Sequence, residues 1–142
     1  MTIDENCIFC KIIRNEVPSS ILYEDNNVMA FLDIRPLTKG HALVIPKNHY
    51  VDLFDISNHD LQAVHTVAKA LAIAIKNAIS ADGISIIQQN GKAAGQEIFH
   101  IHVHVIPRYE GQFMPNVSEL NIAKRSELAE IALKIRRCMG IG

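Results

Sequence analysis

The stretch Phe99-His100-Ile101-His102-Val103-His104-Val105-Ile106 decides how this chain is read. Successive side chains of a β-strand point to opposite faces. His100, His102 and His104 therefore share one face, with Phe99, Ile101, Val103 and Val105 on the other. The apolar face suits a core. Three imidazoles in a row do not, because each needs a hydrogen-bond partner when buried. Two chemistries use such a strand. The histidines could bind a catalytic metal that keeps an open position for water. Alternatively, one neutral imidazole could attack phosphorus and become a phosphohistidine.

Working outward, the preceding loop Asn90-Gly91-Lys92-Ala93-Ala94-Gly95-Gln96 is small and rich in backbone N–H donors. Such a loop can cradle a phosphate, and beside the histidine strand it favours phosphorus chemistry. Ile84 to Gln88 reads as a strand entered through the turn Asp82-Gly83. Before it, Leu61, Val64, Ala68, Leu71, Ile75 and Ile79 recur at helical spacing. Ser57 caps that helix, with Asp60 as the acidic arm of a capping-box variant, and it runs to about Ser80.

Closer to the N-terminus, Ile21 to Glu24 and Val28 to Leu32 form two strands around the turn Asp25-Asn26-Asn27. His41 to Ile45 is a third strand, ended by Pro46. Ile8 to Asn15 predicts a short helix stopped by Pro18. Leu128, Ile131, Ala132 and Ile135 mark a last helix, whose Arg136 and Arg137 suit its C-terminal dipole. The expected architecture is α+β: a five-stranded, largely antiparallel sheet with one long and one or two shorter helices, in a single domain over residues 1–142.

Composition bounds the function. With 49% hydrophobic and 20% charged residues and a formal net charge of −1, the chain has an ordinary globular balance. That argues against a nucleic-acid platform, which needs a concentrated positive face. The polar, acidic start lacks the pattern of a secretion signal. The longest apolar stretch, Val67 to Ile79, is broken by Lys69, Lys76 and Asn77, so no membrane span is expected and the location reads as cytoplasmic. In a reducing compartment Cys7-x-x-Cys10 reads as a metal-binding or redox pair, with the spacing of half a zinc knuckle. Cys138 is expected to pack as a small apolar residue, and His59 and His65 receive no role.

With these residues in view, the chain resembles the histidine triad (HIT) family of nucleotide-binding proteins. The signature His-φ-His-φ-His-φ-φ is met by His100 through Ile106. Further landmarks follow in family order: Cys7-Ile-Phe-Cys10-Lys-Ile-Ile, Tyr23-Glu-Asp, Phe31-Leu-Asp33-Ile-x-Pro36, Gly40-His-x-Leu-Val-Ile-Pro-Lys47-x-His49 and Gly95-Gln96. The resemblance implies a homodimer whose two five-stranded sheets join, acting on a purine nucleotide or nucleotide conjugate. It implies that His102 attacks the α-phosphorus, with no catalytic metal required. His104 and His41 would orient the triad and assist proton transfer. Gln89 or Asn90, Gly95, Gln96 and the amide of Glu97 would surround the phosphate. Asp33 would accept from the ribose hydroxyls, and Ile8, Phe9, Ile12, Phe31, Ile34 and Leu43 would sandwich the base. It also implies a structural zinc on Cys7, Cys10, His49 and His100.

Two departures stand out. The Hint-like branch has serine where this chain has Glu97, a carboxylate that would disfavour an anionic leaving group and favour a cationic amine. Alternatively, Arg108 or Lys92 would offset the charge of a phosphoanhydride. The Trp-containing C-terminal ending of that branch is absent, since the chain has no tryptophan. Two other readings stand beside the hydrolase: a nucleoside monophosphate-binding regulator with incidental hydrolysis, and a zinc hydrolase that uses the triad as ligands.

Overall fold

A computed structural model describes residues 2–141. Five strands form one sheet: β1 (Ile21–Glu24), β2 (Val28–Leu32), β3 (Ala42–Pro46), β4 (Gly83–Gln88) and β5 (Val103–Arg108). Their order is β1-β2-β3-β5-β4, and every neighbouring pair is antiparallel. The α-helices are α1 (Ile8–Ile13), α2 (Asn58–Ile79) and α3 (Arg125–Cys138). The expected α+β architecture is therefore what the chain forms. Among the described residues, no helix is long and apolar enough to cross a membrane.

The alternation of strand side chains divides the core in two. On one face Val28, Ala30, Leu32, Ala42, Val44, Val103 and Val105 meet Val64, Ala68, Leu71 and Ile75 of α2 and Leu128, Ile131 and Ile135 of α3. On the other, Met29, Phe31, Leu43 and Ile45 meet Phe9 and Ile12 of α1. That second face is only partly roofed, because α1 spans 6 residues. Asn15 follows it with φ 60°, a left-handed conformation that ends the helix.

Sheet register builds the floor of what lies beside α1. Phe31 pairs with Leu43, Leu43 with His104, and His104 with Ile87. These four side chains make one row across four strands, on the face away from α2 and α3. A slip of one residue in β5 would send His104 to the helical side.

Several expectations need correction. The histidine strand is shorter than its sequence pattern: the ladder begins at Val103, not Phe99. The amide of Ile101 donates to Tyr50 O at 2.8 Å instead, drawing the preceding residues aside. Phe99 consequently leaves the core and is 47% exposed. Ser57 does cap α2, accepting from the amide of Asp60, but the reciprocal capping-box arm is not made. The Asp60 carboxylate accepts from Tyr50 Oη at 2.6 Å and Asn48 Nδ2 at 3.1 Å, which ties α2 to the segment after β3. Cys138 is exposed rather than packed: after Ile135 it is Met139, not Cys138, that packs against the core.

Candidate active site and metal cluster

A cavity of about 610 Å³ opens between α1 and the half-roofed face of the sheet. Its apolar lining includes Ile8, Phe9 and Ile12 from α1, Phe31 and Leu43 from the floor, and Ile34 beyond β2. Its polar lining includes Asp33, His41, His102, His104, Gln89 and Glu97, with Gly95 at the loop. A flat apolar slot beside a few directed polar groups is the general form of a small-molecule site.

Hydrogen bonds fix the protonation of each imidazole. His102 Nδ1 lies 2.8 Å from the carbonyl oxygen of His100. A carbonyl only accepts, so Nδ1 carries the hydrogen and Nε2 keeps its lone pair. The amide of Leu37 donates to His41 Nδ1 at 3.1 Å, which makes Nε2 the protonated nitrogen of that ring. His41 Nε2 is 3.0 Å from His104 Nδ1 and donates to it. His104 therefore carries its own hydrogen on Nε2. The three rings stand in a row, His102 against His104 and His104 against His41, and Phe9 meets the His102 end edge-to-face with centroids 5.2 Å apart.

Burial keeps these rings neutral. It pushes His41 and His104 down to about 4, and neighbouring imidazoles add to the effect. Burial also lowers His102, opposed by its bond to the His100 carbonyl and by the Asp33 charge. The contact between His41 Nε2 and Asp33 Oδ2, 3.7 Å apart, is accordingly a neutral polar contact rather than an ion pair. Burial raises Asp33, while the amide of Arg35, donating to Oδ1 at 2.9 Å, works against that rise.

The loop before β5 is shaped by glycine. Gly91 has φ 92° and Gly95 φ 94°, on either side of a short 3₁₀ turn over Lys92–Ala94. A Cβ at Gly95 would lie 2.6 Å from Gln89 Nε2, so the glycine also lets the Gln89 side chain pass across the loop. Two expected phosphate neighbours point elsewhere. Asn90 Oδ1 accepts from the amide of Leu53 at 2.9 Å. Gln96 is buried: its Oε1 accepts from the amide of Gly91 at 2.8 Å, and its Nε2 donates to Val51 O and Ile98 O. Neither lines the cavity. Both brace the loop, a role that residue type alone does not announce.

A second cluster lies behind the triad. Cys7, Cys10, His49 and His100 bring four ligand atoms within 4.8 Å of one another. His100 Nε2 donates to Pro46 O at 2.9 Å, so Nδ1 faces the cluster with a lone pair. It stands 3.4 Å from Cys7 Sγ, 3.6 Å from Cys10 Sγ and 3.2 Å from His49 Nδ1. Zinc bond lengths require edges of about 3.6 Å for sulfur–nitrogen and about 3.3 Å for nitrogen–nitrogen in a regular tetrahedron. The donor set and its spacing fit that ion. Burial pushes the Cys7 thiol up to about 11.

The HIT domain model matches residues 14–111. The chain belongs to the HIT family. It is 42% identical over 131 residues to a HIT-like protein of Methanocaldococcus jannaschii, covering 92% of this chain and 98% of that one. It is 48% identical over 107 residues to the adenosine 5'-monophosphoramidase of Saccharomyces cerevisiae, covering 75% of this chain and 65% of the yeast protein. The crystal structure of a zinc-bound histidine triad family protein from Mycobacterium smegmatis superposes with a TM-score of 0.85 at 38% identity, covering 95% of this chain and 94% of that one.

Some contributors had no signal in the sequence. The carbonyls of Pro46 and His100 and the amide of Leu37 are main-chain groups that any residue supplies. Val117 and Leu120 line the cavity from the segment joining β5 to α3, which carries no periodic pattern, and Arg125 lines it from the first turn of α3.

Proposed function

We propose that this HIT-family chain hydrolyses nucleotide conjugates through a covalent nucleotidyl–histidine intermediate on His102. The observation that carries the proposal is the bond from His102 Nδ1 to the His100 carbonyl. It leaves an unprotonated Nε2 on a ring that lines a cavity with an apolar slot. Nε2 attacks the α-phosphorus. The new P–N bond forms as the bond to the leaving group breaks; the leaving nitrogen takes a proton from solvent and departs as the neutral amine, while the Nε2–H of His104 donates a hydrogen bond to it. Water then attacks phosphorus as the bond to His102 Nε2 breaks, the surplus proton of that water passes to solvent, and the nucleoside monophosphate is released. Amides of the 91–97 loop stabilise the phosphoryl oxygens as charge builds on them. Asp33 holds the ribose hydroxyls.

Glu97 favours an amine as leaving group. It lines the cavity, whereas Lys92 and Arg108, which could have balanced a polyphosphate, do not. Arg108 Nη1 donates to Ser85 Oγ, away from the triad. The activity named for the yeast relative supports a P–N bond. The zinc-bound relative and the fitted tetrahedron support a structural zinc on Cys7, Cys10, His49 and His100, which would fasten α1 to the start of β5. Such thiolates persist in a reducing compartment, in keeping with a cytoplasmic location. A homodimer joined along β4 is the natural assembly, since β4 is an edge strand and its Ile86 is 46% exposed.

Mass spectrometry of protein quenched during turnover of an adenosine phosphoramidate tests the proposal. A nucleotidyl adduct on the peptide containing His102 is expected. Turnover without an adduct at that residue, or activity that chelation abolishes and added metal restores, would overturn it. Comparison of kcat/KM for that phosphoramidate and a dinucleoside polyphosphate, in the native chain and Glu97→Ser, tests the leaving group. A strong polyphosphate preference unaffected by the substitution defeats the charge argument.

A further inference from the structure

The apolar slot does not end at α1. Val17, Pro18, Ser19 and Arg125, the first residue of α3, also line the cavity. Arg125 Nη2 donates to the carbonyl of Pro18 at 3.1 Å, which anchors the guanidinium to one lip of the slot. The amide of Ala123 donates to Ile34 O at 2.8 Å and fastens the same segment to the other lip. Two hydrogen bonds thus bring the start of α3 to the wall of the cavity.

A guanidinium has five N–H donors and no acceptor. One is engaged by Pro18, so a planar ligand meeting the others must present acceptors. The setting reinforces that demand. Lys124 occupies the N-cap of α3 without a side-chain cap, and the helix dipole places positive potential at the same end. Guanine offers O6 and N7 side by side, whereas adenine offers N7 beside the N6 amino donor. An adenine amino group facing Arg125 would set donor against donor.

We infer that Arg125 reads the base, and that this chain selects guanine over adenine through the O6/N7 edge. The inference rests on the reading that a nucleotide base occupies this slot. Ser19, whose hydroxyl can donate or accept, completes the reading edge without deciding it.

Calorimetric titration of the full chain with GMP, IMP and AMP tests this. IMP shares O6 and N7 with GMP but lacks its exocyclic amine, so it isolates the contact in question. GMP and IMP are expected to bind about tenfold tighter than AMP, within the range of a bidentate base contact. Arg125→Ala should bring all three within about twofold. Arg125→Gln keeps an N–H for Pro18 and adds an acceptor for the adenine amino group, so it should move the ratio toward AMP. Comparing ratios rather than absolute affinities separates base reading from general loosening of the slot. AMP binding as tightly as GMP to the native chain, or a guanine preference that survives in Arg125→Ala, overturns the inference while leaving the nucleotide reading intact. Failure of all three nucleotides to bind overturns both.

Discussion

His41 and His104 are joined by a 3.0 Å hydrogen bond whose direction is set by a third group, the amide of Leu37. That amide forces the proton of His41 onto Nε2 and hence the proton of His104 onto its own Nε2. Both rings are held down to about 4, chiefly by burial. A histidine in the unfolded chain titrates near ~6.5. The kcat/KM profile should therefore stay flat from about pH 8 to about pH 5.5 and decline as pH approaches about 4. An acid limb centred near 6.5 would contradict the burial of the pair.

The same shift has a consequence for folding. A depressed histidine pKa means that the folded state binds protons less readily than the unfolded state. The stability tied to these rings is complete above about 6.5 and is lost as pH falls toward about 4. Urea unfolding at pH 7 and pH 5 should show a loss in the native chain that is smaller in His41→Asn, which cannot titrate there. Equal losses in both would remove His41 from the account.

His102→Ala should lower kcat by about 10⁴-fold or more, the scale seen when a covalent nucleophile is deleted. Binding of a nucleoside monophosphate should change by no more than about threefold, since the slot and Asp33 remain. Isothermal titration beside steady-state kinetics checks both halves. Residual turnover within tenfold of the native chain would show that another group attacks phosphorus.

Zinc should copurify at about one equivalent per chain, measured by plasma mass spectrometry. Chelation, or Cys10→Ala, should lower Tm by several degrees, because ligand binding is folding energy when the site forms only in the folded state. His102 stays in place but loses part of its support, so activity should fall less than in His102→Ala. A metal-free protein with unchanged Tm after chelation would dismiss the cluster as two thiols beside two histidines.

Gly95→Ala combines a φ of 94° with a Cβ 2.6 Å from Gln89 Nε2. Strain of about 1–3 kcal/mol is expected from the backbone alone. Because the loop carries the proposed phosphate amides, kcat should fall by at least tenfold while the Tm loss stays modest. Full activity in this variant would mean that the loop does not contact the reacting phosphate.

Much of the fold was legible because its signals are local and repetitive. The spacing of Leu61, Val64, Ala68, Leu71 and Ile75 announces α2, alternation announces the histidine strand, and short apolar runs bounded by turn residues announce β2 and β3. The triad was legible because three histidines on one face have no core use. What escaped depends on long-range main-chain contacts. Ile101 bonds to Tyr50, shortening β5 and exposing Phe99, and nothing in residues 99–102 encodes that partner. Asn90 and Gln96 have the chemistry of phosphate ligands, yet each is captured by nearer backbone groups. Arg125 sits on the first turn of an ordinary amphipathic helix, and its place at the cavity follows only from how α3 docks.

His100 serves two neighbours with two different parts of itself. Its ring faces the cysteines, while its main-chain oxygen orients the imidazole of His102, the proposed nucleophile. Every amino acid has that oxygen, but few have a side chain that can bind a metal. Descendants of this fold could therefore discard the cysteines and replace residue 100 while keeping the carbonyl that orients His102, the proposed nucleophile, provided the backbone holds its course. Metal dependence and chemical competence can drift apart through substitution at a single position.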